Sequence, residues 1–206
     1  MDVNIFWEII GQYNKQTIIV QTFLFVSLII SFVLSHIGKN NWLIKSVLGL
    51  IILYIGIVFF GYYGIEKIQK YFAFPLFIVC GILFIYESFK NKNDILEKIN
   101  IWQIILLILY ILYPLFSYIL GNRFPMITTY IMPCPIISIS IIIYSRYKIK
   151  NKLLLICMTL WGLTGVKAFV ANAYEDLILL ICGVYCIYVL IKNIKIKMVG
   201  TSPNKR

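Results

Sequence analysis

Apolar residues along this chain run in blocks of about fifteen to twenty, separated by short polar segments that carry most of its lysine. About 20 consecutive apolar residues wound as an α-helix cross a bilayer core, so each block reads as a span rather than as one face of a soluble helix. The pattern predicts seven transmembrane helices: Thr17–Ser35, Trp42–Gly61, Phe72–Tyr86 with Pro75 near its start, Ile101–Leu120 with Pro114 inside it, Met126–Tyr144, Leu153–Ala171 and Tyr174–Ile191. The expected fold is therefore all-α, a polytopic membrane helix bundle forming a single integral membrane domain over residues 1–206, with no linker or repeat. Before the first span, Phe6, Ile9, Ile10 and Tyr13 share one helical face beside Trp7. Residues 1–16 are thus expected as a short interfacial segment, and 193–206 as a cytoplasmic tail.

The fifth block differs from the others, because Pro133-Cys134-Pro135 interrupts it. Proline has no backbone N–H and pushes the preceding residue out of the α region. Met132 and Cys134 both precede proline, and the carbonyls of Thr129 and Ile131 lose their helical donors. In a bilayer such groups are tolerated only where protein or a wet cavity covers them. The block is read as a discontinuous transmembrane helix, broken at Pro-Cys-Pro and packed among its neighbours.

Composition agrees, with 61% hydrophobic and only 13% charged residues where soluble domains carry about a quarter charged. Charge then orients the bundle. With the N-terminus outside and the C-terminus inside, fourteen of the nineteen basic residues fall on the inner side and five on the outer. This placement accounts for the net charge of +11 without nucleic acid. It makes the lipid bilayer the partner, with the basic inner loops meeting anionic headgroups.

Candidate chemistry is sparse. A single histidine, His36, excludes a His-rich metal site, and no dinucleotide or phosphate-binding fingerprint is present. All five cysteines fall inside predicted spans, so neither a disulfide framework, a metal nor a cofactor is expected. Lys167 lies about fourteen residues into its helix, roughly 21 Å from the inner end at ~1.5 Å per residue. Ionisable residues inside membranes tend to pair or to line substrate paths. Asp176 opens the next helix at a similar depth, so the two are expected to pair while Glu175 faces the headgroups; a structural ion pair or a snorkelling lysine is the plainer explanation. Cys134 lies roughly 12 Å below the outer end of its span by the same rise. Thr128, Thr129, Pro133, Cys134, Pro135, Lys167, Asn172 and Asp176 are thereby brought to one depth as the candidate substrate-binding set.

The Pro133-Cys134-Pro135 run, Trp161 with Gly162 and Gly165, Asp176 at the start of the last span, and Tyr13-Asn14 before the first together resemble an uncharacterised bacterial family of multispan membrane proteins, a domain of unknown function. Ile136, Ile137 and Lys167 depart from its pattern. The resemblance implies a multi-pass protein of the bacterial plasma membrane and brings no activity with it. Three functions follow for comparison: a small solute or ion bound or passed at an outward-facing pocket, a membrane-embedded thiol redox enzyme or sensor working through Cys134, and a non-catalytic accessory subunit.

Overall fold

The computed structural model describes residues 3–37 and 40–200, with side chains as far as Lys195. Helix α1 (Val3–Ile37) is followed by α2 (Asn41–Tyr54), which widens into a π-helical stretch, Ile55–Tyr63. A π turn at Gln69–Ala73 leads into α3 (Phe74–Lys90). Helices α4 (Ile101–Ile111) and α5 (Tyr113–Ile119) follow, then α6 (Pro133–Tyr144) and α7 (Lys152–Leu163). A 3₁₀ turn, Thr164–Lys167, joins α7 to the single turn α8 (Ala168–Ala171). A second, Tyr174–Asp176, opens α9 (Leu177–Gly200).

Five helical stretches are long and apolar enough to cross a membrane, or six if α4 and α5 are taken as one bent span. The bend between those two is 48°. Pro114 causes it, since the Tyr110 carbonyl finds no N–H four residues on. The short third block of the sequence is part of a longer stretch, Gln69–Lys90. Residues 3–16 form the beginning of α1, whose 35 residues run without a break. Of the expected tail, 193–200 continue α9, while 201–206, like Lys39 of the charge count, lie outside the described residues.

The fifth expected span, Met126–Tyr144, is where the structure departs from the pattern. Residues 121–132 are not helical, and the proline run does not break a helix but begins one. Pro133 is the first helical residue and Met132, at φ −125° and ψ 162°, is its extended N-cap. The first intrahelical bond runs from the Ile136 N–H to the Met132 carbonyl, 3.1 Å. Proline suits the first turn, where an N–H has no partner anyway. What remains is a half-length helix of twelve residues preceded by irregular chain.

That irregular chain is held by α1. Tyr13, Asn14, Thr17 and Gln21 lie on one face of the helix and are all buried. The Tyr13 hydroxyl donates to the Ile131 carbonyl at 2.8 Å. The Asn14 amide donates to the carbonyls of Pro125 and Ile127, each at 2.7 Å. The Thr129 hydroxyl donates to Gln21 Oε1 at 2.6 Å. Buried backbone groups need such partners, and here side chains supply what helix hydrogen bonds supply elsewhere.

Close helix approach fixes the rest. A Cβ on Gly162 of α7 would fall 2.6 Å from the Gly183 Cα of α9, so both positions must lack a side chain. An edge-to-face chain of rings, Tyr13, Phe59, Phe60, Trp161 and Phe77, runs through the centre with centroids 4.9–5.3 Å apart.

The far end of the bundle has its own polar cluster. Lys45 and Glu87 are buried there. Lys45 pairs with Asp94 at 3.3 Å and stands 3.8 Å over the Tyr147 ring. Glu87 accepts from Asn91 and Asn151. In the adjoining loop, burial raises the Tyr147 hydroxyl's pKa and lowers those of the Arg146 guanidinium and the Lys150 ammonium.

Candidate functional site

At the end of the bundle opposite that cluster lies a cavity of about 300 Å³. Its walls come from six places in the chain. The start of α1 gives Phe6 and Ile10, and the π segment gives Phe59 and Phe60. The turn into α3 gives Glu66, Gln69 and Phe72, and the start of α6 gives Pro133, Cys134 and Pro135. Trp161, Thr164, Lys167, Ala171, Ala173 and Asp176 close it from the α7 to α9 side.

The extended chain before α6 and the tight α7–α9 crossing together set the chemistry of one wall. Asp176 enters α9 beside the first turn of α6. One of its carboxylate oxygens accepts from the Tyr113 hydroxyl at 2.6 Å, the other from the Cys134 thiol at 3.2 Å. Trp161 lines the same wall, its Nε1–H buried without a hydrogen-bond partner among the described atoms. Gly165 permits this approach, since a Cβ there would lie 2.6 Å from the Leu180 nitrogen and 2.8 Å from the Asp176 carbonyl.

Six of the eight residues expected from the sequence line this cavity: Thr128, Pro133, Cys134, Pro135, Lys167 and Asp176. Two do not. Thr129 turns toward α1 and lines a shallower groove of about 270 Å³ with Ile18, Gln21 and Phe25. Asn172 ends α8 in the left-handed region, φ 50°, a conformation asparagine tolerates better than most residues. Its side chain is exposed and accepts from Tyr174 at 3.4 Å.

The expected ion pair does not form. Lys167 stands exposed on the cavity wall and is not within ion-pair distance of Asp176, whose partners are two neutral donors. The helix count that placed them at one depth assumed regular helix on both sides of the turn. The structure has 3₁₀ geometry at Thr164–Lys167 and Tyr174–Asp176, which changes the direction of both side chains. Glu175, expected at the headgroups, points inward for the same reason and is 2% exposed. Its Oε1 accepts from the hydroxyls of Ser117 and Thr128, both at 2.7 Å. Glu175, Ser117 and Tyr113 were thus missed. Two consecutive acids opening an apolar block were the available signal, but the donors lie about sixty residues away in sequence, on α5.

Fold and site together define an all-helical protein whose long apolar helices are compatible with a membrane, with a carboxylate and an aromatic-walled cavity at one end. The chain belongs to a family of unknown function, DUF6064, which it matches over residues 3–200. No curated protein and no solved structure matches it.

Proposed function

We propose that this is a multi-pass membrane protein that binds a small, largely apolar organic cation, such as an amine, in the cavity beside Asp176. The observation that carries this is a carboxylate set in an aromatic wall. Phe6, Phe59, Phe60, Phe72 and Trp161 line the same space as Asp176. Ring faces and a carboxylate attract a cation together. The cavity volume lies at the lower end of the range for small-molecule sites.

The half-helix α6 supports passage as well as binding, because discontinuous helices surround the solute site in many transporters. Counting α6 and its preceding chain as one pass gives seven, with the cavity outside and the basic loops at the inner leaflet of a bacterial plasma membrane. Lys90, Lys92 and Lys148, around a shallow cleft of about 360 Å³, suit anionic headgroups there. Against the thiol redox reading, Cys134 is the one cysteine on the cavity wall and its thiol is engaged with Asp176.

Thermal unfolding of the detergent-solubilised protein tests the reading. Aryl and alkyl ammonium ions should raise Tm, and carboxylates of the same shape should not. At a hundredfold excess over Kd the gain is about 2.7 kcal/mol, a shift of several degrees. Asp176→Asn should remove it. A shift of equal size for the anions, or one that survives Asp176→Asn, overturns the assignment.

A further inference from the structure

We propose that Glu175 and Asp176 form a binding site for one small monovalent cation, an alkali ion or a proton, distinct from the solute in the cavity. The inference stands on geometry alone and holds whether or not the cavity takes an organic cation.

Two consecutive carboxylates are turned into the protein. Glu175 is 2% exposed and Asp176 sits in the cavity wall. Their four hydrogen-bond donors, Ser117, Thr128, Tyr113 and Cys134, are all uncharged. Neither acid is within ion-pair distance of a basic side chain among the described residues, where Lys45–Asp94 is the ion pair formed. Buried charges are ordinarily paired or hold a cation.

Helix dipoles supply part of the compensation. Glu175 and Asp176 lie in the turn that opens α9, and Asp176 also touches the first turn of α6 through Cys134. Each helix N-terminus is equivalent to roughly half a positive charge. These dipoles favour negative charge at both acids but supply no counter-ion.

Independently, Glu175 marks the position. Its Oε1 takes both hydroxyls, whereas Oε2 is buried and has no hydrogen-bond partner among the described atoms. An ionised oxygen left in that condition is costly. A cation at Oε2 satisfies it. The titratable groups around the site are Asp176 from the same turn, Tyr113 from α5 and Cys134 from α6; Lys167 and Glu66 line the cavity that Asp176 also lines.

The test measures Tm of the full-length protein in detergent, without organic solute. One series exchanges sodium, lithium or potassium for N-methylglucamine at fixed pH and ionic strength. A second varies pH in the alkali-free buffer. An alkali ion at the site makes Tm rise with that ion at fixed pH; a proton makes it rise as pH falls without any alkali ion. Glu175→Gln keeps an acceptor for Ser117 and Thr128 but removes the charge, and should abolish whichever dependence is found. Where that variant does not fold, Thr128→Val should shift the half-saturating cation concentration by about tenfold, or the pH midpoint by about one unit. A wild-type Tm indifferent to both series overturns the proposal, as does the same response in the wild type and in Glu175→Gln. Asp176→Asn with an organic ammonium ion remains a separate readout, so failure here leaves the cavity assignment to its own test.

Discussion

Asn14 is one side chain that substitutes for a missing piece of secondary structure. Its amide holds two carbonyls, Pro125 and Ile127, in a segment with no helix of its own. Asn14→Ala would leave both acceptors without their donor in a buried place. Each costs about 1–3 kcal/mol, so the variant should lose roughly 2–6 kcal/mol of stability in chemical or thermal unfolding. Tyr13→Phe removes one bond to Ile131 and should cost no more than about half as much. Equal stability of Asn14→Ala and wild type would mean that the 121–132 segment is not held by α1. Part of this was legible in the sequence. Tyr13 and Asn14 drew notice, and Asn14, Thr17 and Gln21 recur at helical spacing in an otherwise apolar run. What such a face bonds to was not legible, because the partners are backbone carbonyls more than a hundred residues away.

Among the elements, α6 shows how composition can be read correctly and geometry wrongly. Met126–Tyr144 is one apolar block, and a helix on both sides of the prolines, broken at Pro-Cys-Pro, was the expectation. The structure uses only the second part as helix, with Pro133 and Pro135 at its first and third positions. The two readings predict opposite signs for proline replacement. Proline inside a helix costs about 3 kcal/mol, so replacing it there by alanine stabilises. At the first turn no intrahelical bond is lost to proline, and its stiffness limits the unfolded chain, so alanine should destabilise by about 0.4–1 kcal/mol. Pro133→Ala and Pro135→Ala should each lower Tm slightly. A rise of several degrees in either would restore the description of a helix broken at its prolines. The same limit explains the missed site residues. Periodicity places side chains around a regular helix, but the 3₁₀ turns at Thr164–Lys167 and Tyr174–Asp176 rotate Lys167 and Glu175 away from those positions.

Over the whole molecule, polar chemistry is divided between two ends, and the short α6 decides how they face. Near the cavity end lie Phe6, Glu66, Lys167 and Asp176; at the other, His36 meets Arg146, Lys45 meets Asp94, and Asn193 meets the Lys150 carbonyl. Loops between successive helices alternate between these ends. That order was legible in the sequence as the alternation of lysine-rich and lysine-poor segments, a signal independent of where any helix begins. Parity is the sensitive quantity. At ~1.5 Å per residue, the twelve residues of α6 rise about 18 Å, short of a ~30 Å core. Its pass is complete only if the irregular chain before it lies within the membrane, covered by α1. In that case seven passes put the termini on opposite sides. A reporter fused after Arg206 should be cytoplasmic and one placed before Asp2 external. A membrane-impermeant thiol reagent applied to intact cells should then label Cys134, which is partly exposed at the cavity, and spare the buried Cys157. If both termini report from the same side, the segment from 121 to 144 enters and leaves by one face, and α6 is a re-entrant element rather than a span. Labelling of Cys134 only after the membrane is opened, with the C-terminus still cytoplasmic, would instead place the Asp176 cavity out of reach of the outside and remove the basis for an outward-facing solute site.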